Sequence, residues 1–174
     1  MPIGLLGTEL DVDGRLVYLI TTSPENFESV WDAVLQVVIH RALIAEIDGY
    51  PDPSWESYST LAPEVRDAHE QLVAFAEGRP DPGRDPKMNV HLNLKNQTHV
   101  DIARVYGPHS ISVDLIDEWG TVIADLKDGG SGGTATLSLA EVDQLRAELR
   151  SRSVSETVLS GPYKRGHRGR LEPA

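Results

Sequence analysis

Between Pro24 and Ile47 the chain carries a run that a solvated surface element does not tolerate. Glu28, Asp32, Gln36 and His40 recur at every fourth position and make one narrow polar stripe. Phe27, Val30, Trp31, Val34, Leu35, Val37, Val38, Ile39, Leu43, Ile44 and Ile47 fill the other faces. The spacing predicts a helix over about 24–47, opened by Pro24 behind a Ser23 cap. A helix with so little polar surface must be covered on most sides. It is either the central helix of a core or part of a dimer interface, and the remaining sequence must supply the cover.

That cover reads as antiparallel sheet and further helix. Residues 88–126 alternate with period two: Val90, Leu92 and Leu94 share a face, as do Val100 and Ile102, then Ile111, Val113 and Leu115. Tyr106-Gly107-Pro108-His109 fits a two-residue hairpin, and Asp117-Glu118-Trp119-Gly120 a four-residue turn into 121–126. The expected product is a four-stranded meander. An N-terminal hairpin over 8–20, turning at Asp13-Gly14, would set Leu10 opposite Val17. A second helix starts near Pro63, with Val65, Ala68, Leu72, Val73, Phe75 and Ala76 on its apolar side. A third follows the capping box Ser138-Leu139-Ala140-Glu141, with Leu139, Val142, Leu145 and Leu149 as its stripe.

The fold class is therefore α+β: a four-stranded meander plus an N-terminal hairpin, packed against two or three helices. At 174 residues, without internal repeats, the chain has room for one core. Residues 1–160 read as a single domain, with 78–86 a Pro/Gly loop inside it and 129–133 a flexible glycine link. Residues 161–174 read as a disordered basic tail bearing Lys164, Arg165, Arg168 and Arg170.

With 16 basic and 27 acidic residues the formal net charge is -11. The last fourteen residues hold four basic side chains and one acidic, so twelve basic face twenty-six acidic ones in the rest. Such a body repels phosphates and does not bind duplex DNA through its general surface. There is no cysteine, which excludes disulfides, thiolate metal sites and cysteine nucleophiles. The N-terminus lacks the basic and apolar regions of a secretory signal, and no run approaches the ~18 apolar residues of a membrane span. A soluble cytoplasmic protein is expected.

Chemistry is sparse. In the meander register Asp101 falls beside Asp114, with His91 nearby and Ser112 beside Asp125. Like charges across a ladder need a cation or a proton, so His91, Asp101 and Asp114 are candidate ligands for a divalent metal, on which a small enzyme would depend. The opposing expectation is a solvated face screened by Lys95, Arg104 or water. The glycine stretch lacks P-loop and dinucleotide spacing, no histidine pair has zinc-site spacing on a helix, and no serine stands in a nucleophile elbow. Asn96-Gln97-Thr98 matches a glycosylation acceptor but reads as a turn. Lys164, Arg165, Arg168 and Arg170 would give weak, salt-sensitive nucleic-acid contact.

The function class favoured is a non-enzymatic module without cofactor that captures a basic protein partner. Inhibitors, immunity proteins, secretion chaperones and nucleic-acid mimics use an acidic field in this way. Trp119, Trp55 and Tyr58 are the expected aromatic anchors, with Asp101, Asp114 and Asp125 as acidic contacts and Trp31 left to the core. The apolar helix and an uncapped sheet edge are two routes to a homodimer.

Overall fold

A computed structural model describes residues 14–49, 58–78, 88–127, 131–165 and 170–174. Among these, eight strands and four helices follow one another along the chain: β1 (Leu16–Thr21), α1 (Phe27–Val38), β2 (Ile44–Asp48), α2 (Pro63–Glu77), β3 (Val90–Asn93), α3 (Gln97–Tyr106), β4 (Ser112–Ile116), β5 (Val122–Lys127), β6 (Gly132–Leu137), α4 (Leu139–Ser151), β7 (Leu159–Arg165) and β8 (Leu171–Pro173). The strands form one sheet, ordered β3-β2-β4-β5-β6-β1-β7-β8, with every neighbouring pair antiparallel. The α+β class holds, with a larger sheet than the alternation predicted.

All four helices feed one core with one side of the sheet: Tyr18, Ile20, Ala45, Ile47, Val90, Leu92, Val113, Leu115, Leu126, Ala135 and Leu137 point into it. Helix α1 is central, with Val30, Trp31, Ala33, Val34, Leu35, Val37 and Val38 all buried within the one chain. Trp31 Nε1 donates to Ala103 O on α3 at 2.9 Å, and a β-carbon on Gly107 would sit 3.0 Å from that nitrogen. Close approach, not turn geometry, is what requires Gly107. The polar stripe of α1 is tied down at its edges: Asp32 forms an ion pair with Arg104 of α3, 2.9 Å from its Nε, and accepts from Arg152 NH2, just after α4, at 2.8 Å.

Two segments depart from the predicted elements. The helix expected over 24–47 ends at Val38, and Ile44–Asp48 is a strand paired on both sides, by β3 and β4. Apolar residues there satisfy helical and strand periods alike, and two ladders of backbone hydrogen bonds decide for the strand. Conversely, the strand expected around Val100 and Ile102 is α3. Asn96 Oδ1 accepts from Thr98 N at 2.9 Å and caps it, and Val100, Ile102, Ala103 and Tyr106 are its buried residues. Gly107–His109 is a 3-10 turn continuing that helix instead of a hairpin. Strand β2 thus takes the place between β3 and β4 that the meander assigned to the strand of Val100 and Ile102.

Other expectations are met or corrected locally. Pro63 stands at the start of α2, and Ser138 and Glu141 form the reciprocal capping box. Leu139 is exposed, not part of the buried stripe. Residues 8–13 of the N-terminal hairpin lie outside the described residues. Val17, at the other end of that expected pairing, is paired with Thr136 on one side and Tyr163 on the other. Gly132 and Gly133 belong to β6 rather than to a flexible link. The stretch read as a disordered tail holds most of β7 and all of β8, because β1 has a second edge to pair and extended backbone fills it. No described helix is long and apolar enough to cross a membrane.

Candidate functional site

The side of the sheet turned away from the helices is built in rows. Since paired residues share a face, the ladders align His91, Glu46, Asp114, Asp125 and Thr134 across five neighbouring strands. Three carboxylates therefore stand on adjacent strands, about 4.8 Å per step. Asp48, Ser112 and Lys127 form the next row, and Ile44, Ile116 and Val122 the row on the other side. Ile44, Ile116 and Val122 are half-buried and take no part in the core.

Each carboxylate is held by a neighbour. Glu46 contacts His91 Nε2, and Asp114 takes Lys127 Nζ at 2.5 Å. Asp125 accepts from Thr134 N at 3.0 Å and from its Oγ1 at 2.8 Å. Asp48 accepts from Asn89 N at 2.7 Å and from Ser112 Oγ at 3.1 Å. Apart from His91 and Lys127 these donors are neutral N–H and hydroxyl groups, so the four carboxylates outnumber the cationic side chains among their partners. Lys127 registers that field: burial pushes its ammonium down, but Asp114, Asp125 and Asp48 hold it above the ordinary lysine value.

At the apolar end of the same strands, the turn between β4 and β5 carries Trp119, 80% exposed. The turn is rigidly built: Asp117 Oδ1 accepts from both Trp119 N and Thr121 N at 2.9 Å, and Gly120 takes φ +81°. An indole held outward on a fixed turn forgoes its own burial and is ready to be buried by something else.

Of the residues singled out in the sequence, Asp114 and Asp125 are brought face to face, with Trp119 at the end of their strands. Asp114 faces Asp125 across the ladder, and Ser112 faces Lys127, a shift of two from the expected register. Asp101 is not with them. It sits on α3, where its carboxylate accepts from Gln97 Nε2 at 2.8 Å and lies 3.6 Å from Arg104 NH1. The metal grouping of His91, Asp101 and Asp114 loses its geometric basis, and no cluster of three or more metal-binding side chains occurs among the described residues. Trp55 and Arg168 lie outside the described residues, and Tyr58 opens a 3-10 turn, Tyr58–Thr60. Lys164 faces Glu172 and Arg165 faces Leu171 in the β7/β8 pair, while Arg170 is exposed beside it. Glu46 is hidden from the sequence pattern by the assignment of 24–47 to helix, and Asp48 by its place just past the end of that helix. The alternation of Ala45 and Ile47 with Glu46 and Asp48 is the signal that reveals them.

No known protein family matches this chain, and no curated protein or solved structure is significantly similar to it.

Proposed function

We propose that this chain is a non-enzymatic, acidic protein-binding module, inhibitor-, immunity- or chaperone-like, that captures a basic protein partner in the cytoplasm. The observation that carries the proposal is the row Glu46, Asp114 and Asp125 on the open face of the sheet, with the exposed Trp119 on the turn that joins β4 to β5. Aligned carboxylates focus a negative potential that speeds and orients the approach of a cationic surface. A preorganised indole then supplies the buried contact that charge alone does not.

The test is capture from source-organism lysate by three forms of the protein. These are the wild type, the open-face variant Glu46→Gln/Asp114→Asn/Asp125→Asn, and a control of equal net charge, Asp67→Asn/Glu70→Gln/Glu77→Gln, neutralised on the exposed side of α2. A basic protein retained near-stoichiometrically by the wild type and the α2 control, and released from the open-face variant, is the expected result. Equal retention by all three forms overturns the proposal.

A further inference from the structure

We infer that the segment of the partner seated on this face is a basic amphipathic helix, an inference that rests on the protein-binding function proposed above. The open face offers two parallel rows, apolar Ile44, Ile116 and Val122 beside acidic Glu46, Asp114 and Asp125. The rows are two residues apart along β2 and β4, about 7 Å, and three apart along β5, where the register shifts by one residue between Leu115 and Ile116; their members step across strands by about 4.8 Å. The turn that carries Trp119 closes the far side of the apolar row, since it joins Ile116 to Val122. The result is a short apolar row with carboxylates along one bank and the Trp119 turn at the other.

Period decides what fits the row. A helix laid across the strands returns a side chain to the same side every turn, about 5.4 Å, close to the step between rungs. Over two steps the two periods differ by about 1 Å. An extended strand returns a side chain every ~6.8 Å and falls out of step by about 4 Å over the same distance. Apolar residues at i, i+3 or i+4, and i+7 of a helix therefore meet Ile44, Ile116 and Val122 in turn. Lys or Arg on the adjoining flank of that helix meet Glu46, Asp114 and Asp125. Charge fixes the sign of the partner and excludes a second copy of this chain laid face to face, which would oppose carboxylate to carboxylate.

The probes are two Leu/Lys peptides of about 18 residues and identical composition, one patterned with helical and one with alternating period. Binding is followed by tryptophan emission and by calorimetry against the wild type, the open-face variant, the α2 control and Trp119→Phe. The helical peptide should bind the wild type and the α2 control about tenfold more tightly than the alternating one. It should lose about tenfold on the open-face variant, and Trp119→Phe should abolish the blue shift in emission. Equal affinity for both peptides, with the open-face dependence kept, overturns the helix inference and leaves the capture of cationic partners standing. Equal affinity of every variant for both peptides overturns the two together. A dimer of the free protein that either peptide dissociates assigns the face to a second copy and overturns the inference as well.

Discussion

A β-carbon on Gly133 would lie 2.0 Å from the carbonyl oxygen of Asp125 and 2.9 Å from its carbonyl carbon. Those atoms are backbone in the middle of the sheet and have nowhere to go. Gly133→Ala should therefore cost about 3 kcal/mol or more, through ladder bonds lost between β5 and β6. Gly120→Ala makes the useful contrast, because its φ of +81° is strained for alanine but nothing lies within 4 Å. It should cost about 1 kcal/mol. Urea unfolding of the two variants checks the order, and a Gly133→Ala protein as stable as Gly120→Ala would show that β5 and β6 do not approach this closely. Composition points the other way at this position: Gly129-Gly130-Ser131-Gly132-Gly133 has the look of a tether. Nothing local in the sequence says that a neighbouring strand presses against one of those glycines. The same limit applies to Asp101, whose residue type suits a ligand but whose place depends on the element that carries it.

Elements were legible where a side chain closes its own local circuit. Ser138 and Glu141 bond reciprocally within four residues, so α4 begins where the pattern said it would. Pro63 and the Asp117–Gly120 turn are local in the same sense. What failed were segments whose apolar residues fit two periods, 44–48 and 97–106, because the choice is made by pairing partners far away in sequence. Glu141 shows how a local cap then becomes a long-range tie. Its carboxylate, 8% exposed, also takes Arg41 Nε at 2.8 Å and lies 3.5 Å from Arg15 Nε. Arg41 in turn donates to Thr136 O, so the turn after α1, the start of β1 and the end of β6 meet at the head of α4. Burial alone would raise the Glu141 carboxyl, but the Ser138 N–H and the Arg41 guanidinium outweigh it and hold it below the ordinary value. A carboxyl lowered by folding contributes stability above the ordinary carboxylate range, and that contribution disappears as pH falls through the lowered value. Glu141→Gln should thus be destabilised by about 2–3 kcal/mol at neutral pH, with the gap to wild type closing below about pH 4. Thermal melts from pH 7 to pH 3 measure this, and a gap independent of pH would remove the carboxylate from the explanation.

At the scale of the whole molecule, the question the sequence left open was what covers the apolar run after Pro24. The chain covers it itself. Seven residues of α1 are buried in one copy, between the sheet and the helices α3 and α4, which removes the helix as a reason to dimerise. The sheet edges are poor routes as well. β8 is three residues long and ends in Pro173, and on β3 the outward Asn93 N–H is taken by His99 Nδ1 at 3.0 Å. That leaves the open face, where Ile44, Ile116, Val122 and Trp119 would favour self-pairing and the carboxylates oppose it. With a net charge of -11 spread over one small body, repulsion acts at every approach and is only partly screened across a Debye length of about 8 Å at physiological salt. The protein should therefore sediment as a single 19.1 kDa species at 0.15 M salt, roughly physiological, at any concentration up to about 100 μM. A dimer under those conditions would mean that the apolar row outweighs the charge beside it. The acidic row would then be a rim around a self-interface, not a landing strip for a cationic partner.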